Sequence, residues 1–372
     1  MMPAPLDFSV APFLAIWETT QACDLVCKHC RAMAQPLRSR NELTTDEGKN
    51  LLDQVADMGT RIMVLSGGDP VKRPDLFELI AHGKKRDLRM GTIPAAAPTL
   101  TRELIRNLKK TGLDQVAFSL DFPRAELHDE FRGVPGAFDR TIEATHWAHE
   151  FGIPLQINTT IMASSLPYLK EMGELAIRLG TVFWEVFFLV PTGRGNALQH
   201  LNSEMCERAF ETLYELNRAH DFVLKVTEAP HYRRYVCERE GGITSTRTMP
   251  AQLRRAIGPG GSIGLAPKTV NSGNGFMFVS HEGELFPSGF LPIRAGNIRT
   301  DRLADVYRNS RLFFDLRNPK LLIGNCGGCV YRSICGGSRS RAYAVNGNYL
   351  GGEPWCTFPE SRSESVKKSS IA

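Results

Sequence analysis

Residues 14–30 read LAIWETTQACDLVCKHC: five residues fit for a buried strand, a short polar turn, then Cys23, Cys27 and Cys30 on one loop. Three soft thiolates from one loop suit a cubane iron-sulfur cluster whose fourth iron has no protein ligand, because four-cysteine ligation normally closes such a site. An open iron can bind a substrate. Zinc also takes closely spaced thiolates, but zinc ribbons usually pair two Cys-x2-Cys knuckles, whereas this loop carries three cysteines. His29 lies between two of them, where its ring packs over the cluster, to shield it or to donate to a sulfide, rather than acting as a ligand.

Beyond this loop, short β-branched and aromatic runs alternate with longer amphipathic stretches, the pattern of βα units around a parallel sheet. Strands are expected near residues 14–18, 62–66, 88–93, 115–121, 154–161 and 184–191, with helices between them, such as 45–58 and 101–111. Thr44 and Thr45 can cap the first helix, and Asp46 and Glu47 sit in its opening turn, where negative charge suits the helix dipole. The expected fold is α/β, a partial (β/α)6 barrel of the TIM type, whose chemistry is carried by loops at the C-terminal ends of the strands. Three polar loops then meet at one mouth: the cysteine loop, Ser66-Gly67-Gly68-Asp69-Pro70 after the second strand, and Ser119-Leu120-Asp121 ending the fourth.

The chain has 372 residues, enough for one large domain and a smaller appendage. A net charge of +5 with 23% charged residues fits an anionic substrate and lacks the clustered positive footprint of a nucleic-acid binder. No apolar run approaches the ~20 residues that span a bilayer, and Met1–Val10 lacks the basic start and apolar core of a signal peptide. A cytoplasmic protein is expected, with no nucleic-acid or membrane partner. In a reducing compartment the nine cysteines read as metal ligands rather than disulfides. Seven form two clusters, the second being Cys326-x2-Cys329-x5-Cys335-x20-Cys356, while Cys206 and Cys237 read as ordinary free thiols. Four thiolates complete the coordination of an iron cubane or of zinc, and spacing alone leaves both open.

The barrel pattern occupies residues 1–200. Residues 201–270 read as a helical and linker bridge, with a helical stretch to about 220, a strand at 222–227, and a Gly- and Pro-rich linker or cover at 258–267. Residues 271–360 hold a hairpin-like pair, 275–280 and 284–287, and then the second cysteine cluster; 361–372 read as a disordered tail.

Cys23-x3-Cys27-x2-Cys30 followed by the Ser66–Pro70 loop resembles the radical S-adenosylmethionine superfamily, and the C-terminal cluster resembles its SPASM/twitch extension. The resemblance runs from about residue 14 to 356. It implies a [4Fe-4S] cluster on Cys23, Cys27 and Cys30 whose open iron chelates S-adenosylmethionine. Reductive cleavage then yields a 5′-deoxyadenosyl radical that abstracts hydrogen from a substrate. It also implies cofactor contacts from Ser66, Gly67, Gly68 and Asp69, from Ser119, Asp121, Asn158 and Val190, and from Arg132. Asp69 stands where the family's usual motif has Glu. Cys326, Cys329, Cys335 and Cys356 would hold one auxiliary [4Fe-4S] cluster; fuller versions hold two, using hairpin cysteines where this chain has Ser288. The stretches 27–32, 286–292 and 335–343 look closest to a tetrapyrrole-modifying subgroup. It contains the iron-coproporphyrin decarboxylases of the alternative haem pathway and the haem d1 branch, many of which have Cys where this chain has Ser338.

The leading expectation is hydrogen abstraction from a propionate of a carboxylated tetrapyrrole followed by loss of carbon dioxide. The auxiliary cluster would take the remaining electron, and an external donor such as flavodoxin or ferredoxin would supply the first. His231, Arg233 and Arg234 are the candidate substrate contacts, since arginine grips carboxylates bidentately, and Tyr232 and Tyr235 are placed to stack on a flat macrocycle. A solvated helix face is the competing reading of that run. Trp184, Phe187 and Phe188 are expected to fill the core, and Thr192-Gly193-Arg194-Gly195 to meet an adenine or a carboxylate. A peptide maturase forming a crosslink or oxidising a side chain is the alternative, and a non-enzymatic iron-sulfur or zinc protein the remote one.

Overall fold

The computed structural model describes residues 7–240 and 270–358; the linker expected at 258–267 and the tail at 361–372 lie outside them. The chain alternates β1 (Leu14–Glu18), α1 (Thr45–Asp57), β2 (Ile62–Ser66), α2 (Leu76–Lys85), β3 (Arg89–Thr92), α3 (Arg102–Lys110) and β4 (Gln115–Ser119). It continues with α4 (Ala125–Arg132), α5 (Ala137–Glu150), β5 (Leu155–Ile161), α6 (Leu169–Arg178), β6 (Phe183–Phe188), α7 (Ser203–Ala219), β7 (Val223–Thr227) and α8 (Tyr232–Arg239). Strands β8 (Phe276–Val279), β9 (Glu284–Phe286) and β10 (Gly296–Asn297) follow.

All ten strands form one sheet in the order β10-β9-β8-β1-β2-β3-β4-β5-β6-β7, parallel from β8 through β7. The parallel sheet therefore exceeds the six expected strands at both edges. β7, in the segment read as a bridge, pairs with β6 from Phe183↔Val223 to Phe187↔Thr227. This end strand is half-buried from Leu224 to Thr227, which accommodates Lys225 among Val223, Leu224, Val226 and Thr227. β8 pairs with β1, so the hairpin continues the barrel sheet. The strands expected at 115–121 and 184–191 end at Ser119 and Phe188, where the chain leaves the sheet for the mouth.

A capping box starts α1: Thr44 accepts from the Glu47 backbone while the Glu47 side chain accepts from Thr44. Helix and sheet meet closely at two glycines. A Cβ on Gly48 of α1 would lie 2.6 Å from the Trp17 ring, and one on Gly173 of α6 would lie 2.5 Å from Leu216 and 3.0 Å from Trp184. Both tryptophans are fully buried, so the helix positions that face them carry no side chain. Gly173→Val overfills this contact and should cost about 1–3 kcal/mol of stability, read as a lower urea midpoint with an unchanged slope.

Candidate active site

The cysteine loop is fastened on three sides. At its base, Cys23 N–H donates to Gln35 O at 2.8 Å, and Asp69 N–H donates to Ala22 O at 2.7 Å. Val26 and Lys28 donate to the Arg132 and Phe131 carbonyls at the end of α4, at 3.1 and 2.9 Å. Arg194 N–H donates to Cys30 O at 3.1 Å, and Gly193, at φ +54, lies where a Cβ would come within 2.6 Å of that same oxygen. The Thr192–Gly195 turn, expected to meet an adenine or a carboxylate, straps the cysteine loop, and none of its residues lines the main cavity.

All seven clustered sulfurs accept an N–H. Cys23 accepts from Leu25, Cys30 from Ala34, Cys329 from Tyr331 and Cys335 from Gly337, each at 3.4 Å. Cys326 accepts from Glu353 N at 3.2 Å, Cys356 from the Phe358 backbone, and Cys27 from Arg132 Nη1 at 3.6 Å. Cys206 and Cys237 accept none among the described residues. Burial pushes the Cys23 thiol up to about 12 and Cys356 to about 11. These sulfurs become thiolates only when a positive centre compensates. The N–H donors and the cost of bare thiolates both fit iron-sulfur clusters at the two sets. Among the described residues no three His, Cys, Asp or Glu side chains converge tightly enough to hold a single metal ion.

Cys23, Cys27 and Cys30 open onto a cavity of about 350 Å³ inside the sheet. Of the expected cofactor contacts, Ser66, Gly67, Gly68, Ser119, Arg132, Asn158 and Val190 line it. Arg132 pairs with Asp121 at 2.5 Å, and its Nε–H has no partner among the described residues. His29 stacks on Phe131, with ring centroids 4.7 Å apart, and burial pulls its ring down to about 4, so it is neutral.

Several expected contacts lie off the cavity wall. Asp69 does not line the cavity: its fully buried carboxyl accepts from Val71 N, Ala95 N and Thr99 Oγ1 at 3.1, 3.2 and 3.4 Å. It caps the turn Pro70–Lys72 and ties the loop after β2 to the loop after β3. Burial raises it to about 6. Asp121 also lies behind the wall. Burial works against its charge, but Arg132 holds the carboxyl below its usual range. On α8 only Arg233 lines the main cavity, because residues on a helix turn by about 100° each. His231 and Arg234 instead line a small cavity of about 20 Å³ among Cys326, Cys329, Cys335 and Cys356. Arg234 pairs there with Glu207, and with Glu238 at 2.7 Å. Tyr235 is buried against Phe210, and Tyr232 stacks on Tyr235 rather than facing the cavity. Phe187 lines the cavity and touches Phe290, while Trp184 and Phe188 fill the core as expected.

Sequence reading missed a polar layer across the cavity floor. Gln115 donates to Gln156 at 2.5 Å, and Gln156 donates to Asn158 at 2.7 Å and Glu185 at 3.0 Å. Glu185 in turn pairs with Lys225 at 2.7 Å and accepts from Thr227 at 2.6 Å. The available signal was polar side chains recurring at alternate positions within buried strands. Behind the second cysteine set, Arg341 and Glu353 form a fully buried pair at 3.0 Å, with Arg341 stacked 3.9 Å over the Trp355 ring. Arg339 satisfies the Gly337, Tyr349 and Gly351 carbonyls and reaches Cys326 at 3.6 Å.

Residues 17–171 match the radical SAM superfamily. The chain is 40% identical to an AdoMet-dependent heme synthase of Methanosarcina barkeri (strain Fusaro / DSM 804), over 94% of this chain and 97% of that protein. It is 37% identical to an AdoMet-dependent heme synthase of Oleidesulfovibrio alaskensis, over 99% of this chain and 93% of that one. Its fold resembles that of Streptococcus suis SuiB bound to the precursor peptide SuiA, with TM-score 0.70 and 18% identity over 94% of this chain and 76% of that chain. Replacing Asp69 with Ala leaves buried donors unpaired and should cost about 1–3 kcal/mol, read as a lower urea midpoint.

Proposed function

Because the chain belongs to the radical SAM superfamily, in the subgroup that holds its tetrapyrrole-modifying enzymes, we propose that it decarboxylates propionate side chains of an iron-bound tetrapyrrole. It is an enzyme with S-adenosylmethionine and a [4Fe-4S] cluster as cofactors, and its cysteine-rich C-terminal region fits an auxiliary cluster. The reading is carried by one observation: a single cavity joins the open cysteine triad, the Gly67-Gly68 backbone and the Arg233 guanidinium, which has no carboxylate partner among the described residues.

Cys23, Cys27 and Cys30 would hold the first cluster, and Gly67, Gly68, Ser119, Asn158, Val190 and Arg132 would receive S-adenosylmethionine. The bound pair supplies a 5′-deoxyadenosyl radical. The apolar rings of Phe187, Phe276, Phe278 and Phe290 exclude water and suit a flat macrocycle. Arg31, Arg132 and Lys225 face Glu18, Asp121 and Glu185. Among the described residues Arg233 donates to the Ile334 and Val270 carbonyls, at 3.3 Å each, and to no carboxylate, and we assign its charge to a substrate carboxylate. Cys326, Cys329, Cys335 and Cys356 would hold the auxiliary cluster, which would supply an acceptor for the electron released with carbon dioxide. The first electron comes from an external carrier of the flavodoxin or ferredoxin class. No helix among the described residues is long and apolar enough to cross a membrane, and we place the enzyme in the cytoplasm.

Anaerobic reconstitution followed by S-adenosylmethionine and a strong reductant should yield 5′-deoxyadenosine; its absence sinks the enzymatic reading. Iron-coproporphyrin should then lose carbon dioxide by mass. A porphyrin neither bound nor altered would move a peptide substrate ahead. Cys326→Ala should lower the iron content while the first cluster remains, and an unchanged iron count contradicts the auxiliary site. Arg233→Met should weaken porphyrin binding about ten- to hundredfold, the worth of a hydrogen bond to a charged group, in an absorbance titration.

A further inference from the structure

Arg339 opens the helix Arg339–Asn346 and is 2% exposed, so a positive charge lies inside the C-terminal region. The position suits a cation poorly. Burial removes the water that would solvate the charge, and the first turn of a helix carries the positive end of its dipole. Backbone carbonyls take most of the guanidinium hydrogens: Nε donates to Gly337 O at 3.2 Å, and Nη1 to Tyr349 O and Gly351 O at 3.0 and 2.7 Å. Carbonyls satisfy N–H groups without cancelling a charge. No carboxylate pairs with Arg339 among the described residues, and its Nη2 reaches the Cys326 sulfur at 3.6 Å.

The backbone leaves room for that contact. Gly337 has φ +62, and a Cβ there would lie 2.6 Å from Arg339 Nη2 and 3.0 Å from Cys326 Sγ. Neighbouring guanidiniums are answered differently. Arg341 pairs with Glu353 at 3.0 Å, Arg234 pairs with Glu207 and Glu238, and Arg332 is exposed to water, where its field is screened. The first cysteine set gives the sharper comparison. Arg132 Nη1 also lies 3.6 Å from a cysteine sulfur, that of Cys27, but its charge is paired with Asp121 at 2.5 Å. The two sets thus share one N–H to sulfur contact and differ in whether an acid cancels the cation behind it. Reduction makes a cluster more negative, so hydrogen bonds to its sulfurs and an uncancelled positive charge in a dry interior both favour the reduced form.

We propose that Arg339 is a positioning residue of the auxiliary site: its N–H to Cys326 and its uncancelled charge raise the reduction potential of the cluster bound there above that of the cluster on Cys23, Cys27 and Cys30. The proposal rests on the auxiliary-cluster reading above. It gives electron flow a direction. The cysteine set that faces an unneutralised arginine takes an electron more readily than the set whose arginine is neutralised, as an acceptor for the electron released with carbon dioxide must.

The test is a redox titration of the reconstituted full-length protein, followed by electron paramagnetic resonance, in wild type, Arg339→Lys and Arg339→Gln. The signal that S-adenosylmethionine alters marks the first cluster, and the signal lost in Cys326→Ala marks the auxiliary one. In the wild type the auxiliary potential should lie above the first. Arg339→Gln keeps an N–H but not the charge, and should lower the auxiliary potential by about 59 mV or more, tenfold or more in a one-electron equilibrium, with the first potential and the iron content unchanged. Arg339→Lys keeps the charge and should stay closer to wild type than to Arg339→Gln. An Arg339→Gln potential equal to wild type would overturn the proposal, as would an Arg339→Lys potential as low as that of Arg339→Gln. So would a wild-type auxiliary potential at or below the first, whether or not the variants keep their iron. An iron count in Cys326→Ala equal to wild type would instead remove the auxiliary-cluster reading, and this proposal with it.

Discussion

Two backbones pressed together hold the site. Gly68 N–H donates to Thr20 O at 2.7 Å and Asp69 N–H to Ala22 O at 2.7 Å. A Cβ on Gly67 would sit 2.6 Å from Thr20 O, and one on Gly68 2.5 Å from Ala22 O. Peptide groups this close leave no room for side chains, so the offset between Cys23 and the loop after β2 is set by main-chain hydrogen bonds, which are stiffer than side-chain packing. The same loop continues into Asp69, whose buried carboxyl carries the constraint on to the loop after β3. The cysteine loop, the Gly-Gly turn and the third strand end therefore move as one body. Pre-organisation of this kind is what a reactive intermediate requires, because a small displacement of reacting groups costs orders of magnitude in rate.

Charge is arranged on the same principle. The polar side chains of the cavity floor, from Gln115 through Glu185 to Lys225, are hydrogen-bonded to one another. Buried polar groups satisfied in this way rigidify a site, whereas one left unpaired is costly. The exceptions are informative for that reason. Among the described residues, Arg132 has one N–H without a partner beside Cys27, and Arg233 has no carboxylate partner. Both face the cavity, and both suit an anionic group that the protein does not itself supply.

The parts of the site legible in the sequence are those whose spacing is covalent. Three cysteines within one loop, and two glycines after the second strand, need no tertiary information to be recognised. The direction of Asp69 was not legible, because a motif specifies a position and not the direction of a side chain; here the shorter acid turns back to cap its own loop. On α8, which of His231, Arg233 and Arg234 meets the cavity depends on the helix's rotation against the sheet, which no local pattern sets. Phe187 was within reach: alternation along β6 places Trp184, Val186 and Phe188 in the core and Glu185 and Phe187 toward the cavity. The Lys225–Glu185 pair and the serines around Glu228 depend on segments brought together only by the fold.

Closure of the barrel follows from the way those distant segments meet. Among the described residues the sheet ends at β7 and β10, which do not pair with each other. Side chains bridge the two ends at the mouth. Phe187 of β6 contacts Phe290 beyond β9, with ring centroids 6.3 Å apart, and Ser288 reaches Glu228 at the end of β7. Ser338 and Ser340, which reach the same carboxylate, belong to the segment that follows Cys335. The C-terminal region is thus a wall of the cavity as well as the holder of the second cysteine set. The same wall connects to Cys326: Ser338 N–H donates to Glu353 at 2.7 Å, and Glu353 N–H donates to Cys326 at 3.2 Å. One seam therefore both shapes the pocket and joins its wall to the second set of thiolates.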